Sequence, residues 1–211
     1  MQGIRFHPIV RVLAKIISLV FHPLFIPVYI SWFLIYLNPI FPALNPWEKL
    51  LLVIRFAVMY TLFPLVTVLL AKGLGFIQSI YLKTQKDRII PYVACGLYYF
   101  WMWYVLRNQP DTPEPLIQLT LAIFIASSLG LMANSYAKVS MHAIAVGVMA
   151  AFILLFAFSA DTNIGFYISL AFLIAGVVCS ARLVTADHHP FEIYLGFFIG
   201  VAGLLLAYFI V

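Results

Sequence analysis

Charged side chains are scarce in this chain, since Lys, Arg, Asp and Glu make up only 9% of its 211 residues while hydrophobic residues make up 65%. Soluble globular domains contain about 45–50% apolar residues, so an ordinary soluble domain is excluded. A bilayer crossing uses about 20 apolar residues, which leaves little chain for a separate soluble domain. We therefore expect an integral membrane protein in which residues 1–211 form one domain and the lipid bilayer is the immediate partner.

Cysteine is nearly absent, and basic residues are not concentrated anywhere. The two cysteines, Cys95 and Cys179, lie in separate apolar runs without the partners or spacing of a disulfide framework or a zinc site. The net charge is +5, but no basic run or polar face concentrates it. We expect no nucleic-acid partner and assign the excess charge to contact with anionic lipid headgroups.

Long apolar segments dominate the chain, and each is close in length to a bilayer crossing. They cover residues 13–37, 50–73, 90–106, 116–136, 142–160, 164–181 and 192–211. His22-Pro23 and Pro27 interrupt the first segment, so it is either kinked or broken. It lacks a cleavage pattern of small residues, which favours a retained segment over a signal peptide. The pattern predicts an all-α, polytopic transmembrane helical bundle of six or seven spans, which we expect in a bacterial inner membrane.

Alternating spans bring three connections to one face of the membrane. These connections are residues 74–89, 137–141 and 182–191, and they carry most of the unusual ionisable groups. Ionisable groups next to lipid are costly and are by default candidates for function. Counting of Lys and Arg favours the cytoplasmic side, but cations with a chemical role would distort that count, so both faces stay open.

The first two connections carry groups that suit an anion. Lys83 and Arg88 belong to a run of three cations within six residues, which is either a solvated juxtamembrane charge run or a phosphate-binding arm. Ser140 and His142 lie where an apolar run restarts. Ser140 can cap that helix, whose free N–H groups attract an anion; the alternative for His142 is an ordinary interfacial histidine.

The third connection has the most specific pattern. If the last helix starts near His188, then His188 and Glu192 lie one turn apart on one face. The carboxylate then fixes the imidazole tautomer and makes the other ring nitrogen more basic. His189 points about 100° away on helical geometry and fits that role less well. Arg182 precedes this pair, so the alternative for the group is an ion-pair cluster at the interface.

In this order the three segments resemble the three motifs of the type 2 phosphatidic acid phosphatase family. Arg182, His188 and Glu192 are similar to the third motif, SR-x5-H-x3-D, with Glu192 for its Asp and Ala181 for its Ser. Ser140-Met-His142 resembles the second motif, PSGH, and Lys83 to Pro91 resembles the first, K-x6-RP. Ile90 stands where the first motif has its Arg, and Met141 where the second has its Gly. The resemblance covers roughly residues 83–200.

The resemblance implies a lipid phosphate or diphosphate hydrolase that works through a phosphohistidine. By this resemblance His188 is the nucleophile, Glu192 orients it, and His142 protonates the leaving group. The same comparison makes Lys83, Arg88, Ser140 and Arg182 the phosphate-binding residues, with Arg88 as the substitute for an arginine at position 90. It implies a phosphorylated membrane lipid as partner, no metal and no cofactor.

Two other functions remain open. A non-catalytic lipid-phosphate binder or transporter would keep the anion-binding residues without turnover, and Ile90 and Met141 favour it. A metalloenzyme could use the acidic and imidazole groups of this region as ligands, namely His142, Asp187, His188, His189 and Glu192. It would not need three cations beside them, and five histidines are few for a histidine-rich di-iron site.

Overall fold

The structure, a computed structural model, describes residues 6–37, 40–41, 44–159 and 163–211. These residues are mainly α-helical, and no β-strand occurs within the described ranges. The helices are α1 (Pro8–Val20), α2 (Ile26–Trp32), α3 (Pro46–Ala57), α4 (Phe63–Gly73), α5 (Gln85–Arg107), α6 (Glu114–Ala133), α7 (Met141–Ser159), α8 (Gly165–Val184) and α9 (Pro190–Ile210). The predicted all-α class is confirmed.

Six stretches of the described chain are long and apolar enough to cross a membrane. They are Pro46–Gly73, Gln85–Arg107, Glu114–Ala133, Met141–Ser159, Gly165–Val184 and Pro190–Ile210. The first of these joins α3 to α4 through a π-helical turn, Val58–Leu62. The count agrees with the lower of the two span numbers expected from the sequence, and the protein is a multi-pass membrane protein.

The first apolar segment is broken and not merely kinked. Pro23 and Pro27 follow the end of α1, and neither can donate a backbone N–H to a continuing helix. The break is anchored, because Nδ1 of His22 accepts from the N–H of Leu24 at 3.3 Å and Oγ1 of Thr61 donates to the carbonyl of Leu24 at 2.8 Å. Neither piece is as long as a bilayer crossing, so the described residues before α3 contain no uninterrupted span.

Helix α7 is the most buried of the apolar helices and lies against α9 and α8. Glycines of α9 allow the close approach to α7, because a Cβ at Gly200 would overlap the carbonyl oxygen of Ile144. One turn earlier, a Cβ at Gly196 would lie 2.7 Å from the carbonyl oxygen of Ser140. Small residues at such positions let helix backbones pack closely in a membrane. This contact sets the start of α7 directly beside the start of α9.

Helix α5 begins earlier than the apolar pattern predicted, at Gln85 and not near residue 90. Thr84 caps it, since its hydroxyl accepts from the backbone N–H of Asp87 at 3.1 Å, and an acidic residue in the first turn suits a helix start. Arg88 therefore lies in the first turn of a helix, whereas Lys83 lies in the connection before it.

Candidate active site

The three connections predicted to share a membrane face do meet. The side chains of Gln85 and Asn134 bond reciprocally to each other's backbone carbonyls, at 2.6 and 2.9 Å. The backbone N–H of Ser140 donates to the carbonyl of Glu192 at 3.1 Å. The start of α5 is thus joined to the end of α6, and the residue before α7 to the first turn of α9. The residues singled out in the sequence are brought to one region.

His188 is held by two acceptors at the same ring nitrogen. Its Nδ1 lies 2.9 Å from the carbonyl oxygen of Lys138 and 3.1 Å from Oε2 of Glu192. A carbonyl only accepts a hydrogen bond, so Nδ1 carries the proton and Nε2 keeps its lone pair. The side chain is only 3% exposed, which fixes the ring in place. This tautomer is the one that a nucleophilic histidine needs.

The contact between His188 and Glu192 arises differently from the expectation. Helix α9 begins at Pro190, and His189 is its N-terminal capping residue, so His188 precedes the helix and is not one turn below Glu192 within it. The Glu192 carboxylate folds back over the helix start and also accepts from the backbone N–H of His189 at 3.1 Å. A carboxylate in the first turn is favoured by the unpaired N–H groups there, and this places it on His188.

His188 is uncharged at neutral pH. Burial, followed by the positive charge of Arg88, lowers its pKa from 6.5 to about 4, although the hydrogen bond with Glu192 acts in the opposite direction. A buried imidazole loses hydration when it is charged, and the neighbouring guanidinium adds to that cost. The neutral ring is the form with a free lone pair on Nε2.

Arg182 lies in the last turn of α8 and has two of its three nitrogens engaged. One terminal nitrogen donates to Oδ2 of Asp187 at 2.7 Å and the other to Oγ of Ser18 at 3.2 Å. Its Nε is buried and has no hydrogen-bond partner in the described part of the chain. Ala186, which has a left-handed φ of +56°, turns the chain after α8 so that Asp187 comes back to Arg182. An anion in the site could take up the unused donor.

Arg88 is buried and forms hydrogen bonds with two connections between helices. Its Nε donates to the carbonyl of Leu82 at 3.0 Å, and a terminal nitrogen donates to the carbonyl of Val139 at 2.6 Å. Ile90 is 40% exposed on the outer surface of α5 and does not line the cavity that Arg88 lines. The two positions therefore face different ways, and an arginine introduced at position 90 is not expected to replace Arg88.

A cavity of about 940 Å³ connects these residues. Its polar end is lined by the side chains of Lys15, Ser18, His22, Lys83, Arg88, Lys138, His142, Arg182, Asp187 and His188. Ser140 is not among the lining residues; it is buried, and its hydroxyl accepts from the backbone N–H of Ala143 at 3.4 Å, as the capping role predicted. The positive charges outnumber the one carboxylate of Asp187, so this end of the cavity suits an anion.

Farther along the helices, most of the residues that line the cavity are apolar. They include Ile26 and Ile30 of α2, Leu65 and Val68 of α4, Ile123 and Ala126 of α6, and Ile144 and Val148 of α7. The cavity thus continues from the cationic cluster to side chains that would favour a hydrocarbon chain.

Sequence reasoning missed two residues of the cationic end, namely Ser18 and His22. They come from α1 and the break after it, and both line the cavity. The interruption at His22-Pro23 was visible in the sequence, but no local pattern indicated which helix the broken segment would pack against. Among the described residues no three His, Cys, Asp or Glu side chains gather as a metal site would require.

The fold and this cavity define a multi-pass helical membrane protein with a cationic site at one end of the bundle. The family model of the PAP2 superfamily matches residues 89–211, which is more than half of the chain, so the protein belongs to the PAP2 superfamily. Its members are in general phosphatase-type hydrolases that act on phosphate esters. The match includes the residues of the second and third motifs, whereas Lys83 and Arg88 precede it. Comparisons with curated proteins and with solved structures find no match.

Proposed function

We propose that this protein is a metal-independent phosphatase that hydrolyses a membrane lipid phosphate or diphosphate through a phosphohistidine at His188. The observation that carries the proposal is the single cavity of about 940 Å³, which has cations and His188 at one end and apolar side chains at the other. A phosphate headgroup fits the first end and a lipid chain the second. Residues 1–211 act as one membrane domain in this proposal, and its location in a bacterial inner membrane stays a prediction.

The reaction begins at Nε2 of His188. Its lone pair forms a bond to phosphorus while the P–O bond to the lipid breaks, and the electron pair of that bond leaves on the lipid oxygen, which takes a proton from His142. Glu192 and the carbonyl of Lys138 hold Nδ1 and stabilise the charge that the ring acquires. Water then attacks phosphorus, the N–P bond breaks with its electrons returning to Nε2, and His142 recovers a proton from the water.

Fixed cations stabilise the transferring phosphoryl group. Arg182 offers Nε and, once Asp187 is displaced, a second nitrogen in the planar fork that matches two phosphate oxygens. Lys83 supplies a point charge from the connection before α5. Arg88 contributes its charge and keeps the connection at Val139 in place. Preorganised cations of this kind provide the electrostatic stabilisation that phosphoryl transfer requires.

Purified protein in detergent should release phosphate from a lipid phosphate while a strong chelator is present. The panel should contain phosphatidate, phosphatidylglycerol phosphate, a polyprenyl diphosphate and a phosphorylated lipid A, with inorganic phosphate as the readout and His188→Gln as the matched control. Binding of these lipids without any release would favour the non-catalytic binder instead. Activity that is lost with chelator and restored by Zn²⁺ or Fe²⁺ would favour the metalloenzyme.

Asp187→Asn should bind inorganic phosphate or orthovanadate about two- to fivefold more tightly than the wild type. Asp187 is 55% exposed and occupies a nitrogen of Arg182, and an exposed ion pair of this kind is worth only up to about 1 kcal/mol. Calorimetric titration of the detergent-solubilised protein gives the Kd. Asp111→Asn, in the connection before α6 and therefore on the opposite face, also removes one negative charge and should leave Kd unchanged; equal tightening in both variants would indicate a general charge effect.

A further inference from the structure

Helix α1 lies outside the residues that match the PAP2 family model, yet one of its side chains is at the centre of the site. Ser18 is buried, at 7% exposure, in the last turn of α1, and α1 packs along α8. The helix end is fixed on both sides of the break, since the hydroxyl of Tyr29 donates to the carbonyl of Val20 at 2.8 Å and Thr61 holds the carbonyl of Leu24.

The carbonyl of Ser18 determines which nitrogen of His142 carries a proton. Nε2 of His142 lies 3.0 Å from that carbonyl oxygen, which can only accept, so Nε2 is the donor. Nδ1 is then the nitrogen that exchanges a proton with the leaving group, and the carbonyl stabilises the ring when both nitrogens are protonated. Lys138 and Glu192 do the same for His188, so each histidine of the site has one nitrogen fixed by an acceptor.

The hydroxyl of the same residue holds Arg182. Oγ of Ser18 accepts from one terminal nitrogen of the guanidinium at 3.2 Å, while the other terminal nitrogen pairs with Asp187. A long side chain with one fixed nitrogen loses less conformational freedom when it binds a phosphate. Asp187 is half-exposed and can move away, whereas Ser18 is buried and stays, so the guanidinium keeps its orientation when an anion replaces the carboxylate.

The ring of His22 completes the contact between the broken helix and the site. It packs edge-on against the ring of His142, with 5.3 Å between the ring centroids. Because Nδ1 of His22 accepts from the N–H of Leu24, this ring is also fixed in orientation. The break in the first apolar segment thus has a specific result, since it places Ser18 and His22 side by side against His142.

We propose that Ser18 is a positioning residue of the phosphate site, in which its hydroxyl orients the guanidinium of Arg182 and its carbonyl orients the imidazole of His142. The proposal rests on the proposed function, because it assigns Ser18 to the same reaction. It makes the chain before the family match a part of the active site and not only a membrane anchor. Ser18 acts through its two neighbours and need not touch the substrate.

Removing the hydroxyl tests the proposal. Ser18→Ala leaves the carbonyl on His142, so we expect KM for the best lipid phosphate and Kd for orthovanadate to rise about five- to tenfold, as for a lost hydrogen bond to a charged group, with kcat changed less than twofold. Ser18→Thr retains a hydroxyl and should restore most of the affinity. Ser31→Ala removes a buried hydroxyl that, among the described residues, bonds to the carbonyl of Val28 in its own helix and to no other group. This variant should change neither constant.

A double-mutant cycle separates positioning from general stability. If Ser18 acts through Arg182, Ser18→Ala should have no further effect on orthovanadate affinity in an Arg182→Met background. Unchanged KM and Kd in Ser18→Ala, or an equal loss in both backgrounds, would overturn the proposal. A wild type that binds orthovanadate and hydrolyses no lipid phosphate would instead refute the proposed function, and the cycle in Kd would still decide the role of Ser18.

Discussion

His188→Gln should abolish both turnover and the covalent intermediate. Glutamine keeps a polar side chain of similar length but has no lone pair on nitrogen for attack at phosphorus, so kcat should fall by roughly 10⁴-fold or more, the scale seen when a covalent nucleophile is removed. Brief incubation with a lipid carrying ³²P in the phosphate, followed by rapid quenching in alkali, should give acid-labile label on the wild-type protein. No label should appear on His188→Gln.

The neighbouring histidine provides the matched control. His189 is exposed. Its backbone N–H donates to Oε2 of Glu192 at 3.1 Å and its carbonyl accepts from the backbone N–H of Glu192 at 3.0 Å, and His189→Gln preserves both contacts. That variant should keep the label and most of the activity. Glu192→Gln should retain weak labelling, because the imidazole remains while the acceptor for its Nδ1–H is weakened. Label that persists in His188→Gln and disappears in His189→Gln would reassign the nucleophile to His189.

Gly200→Leu should prevent assembly of the bundle. A Cβ at this position would overlap the carbonyl oxygen of Ile144 and lie 2.8 Å from the backbone nitrogen of Val148. Both atoms belong to the backbone of α7, so no side-chain rotation relieves the overlap. Even Gly200→Ala should lower the free energy of unfolding by about 1–3 kcal/mol, the usual cost of overpacking, and the larger leucine should leave little folded protein.

The measurement is the fraction of detergent-solubilised protein that stays monodisperse in size-exclusion chromatography after heating. Gly176→Leu is the control, since a Cβ at Gly176 has no described atom within 4 Å and the position is exposed on α8. It should behave as the wild type does. A Gly200→Leu protein with wild-type Tm would contradict close packing of α7 against α9 at this position.

The candidate site shows which contacts can be predicted from residue spacing. The pairing of His188 with Glu192 followed from the interval between them, and the structure contains it, but through a carboxylate that folds over the start of α9. The interval is compatible with both arrangements. Only the position of the helix start distinguishes them, and that depends on Pro190 and on the capping of the helix by groups around it. Spacing therefore identified the two residues that make contact, but it did not identify the geometry of that contact.

Position 90 shows what spacing alone leaves out. By resemblance Arg88 is the substitute for an arginine at position 90, an assignment that stays a prediction. In a helix two residues apart lie on different faces, and the structure puts Arg88 in the cavity and Ile90 on the outer surface of α5. The difference between the two faces could have been predicted if the helix had been extended back to Thr84, whose capping signal lies in the sequence.

By itself the sequence determined the class of protein, the number of long apolar helices to within one, and the meeting of three connections at one membrane face. Those features depend on local hydrophobicity and on the alternation of helix direction, which are properties of the chain in order. Only the tertiary structure decided the contribution of Ser18 and His22, because that contribution depends on the packing of the broken first segment against α8. Ser18 and Arg182, which are in contact, lie more than 160 residues apart in the chain. Contacts of that kind depend on how the helices pack against one another, which no local pattern specifies.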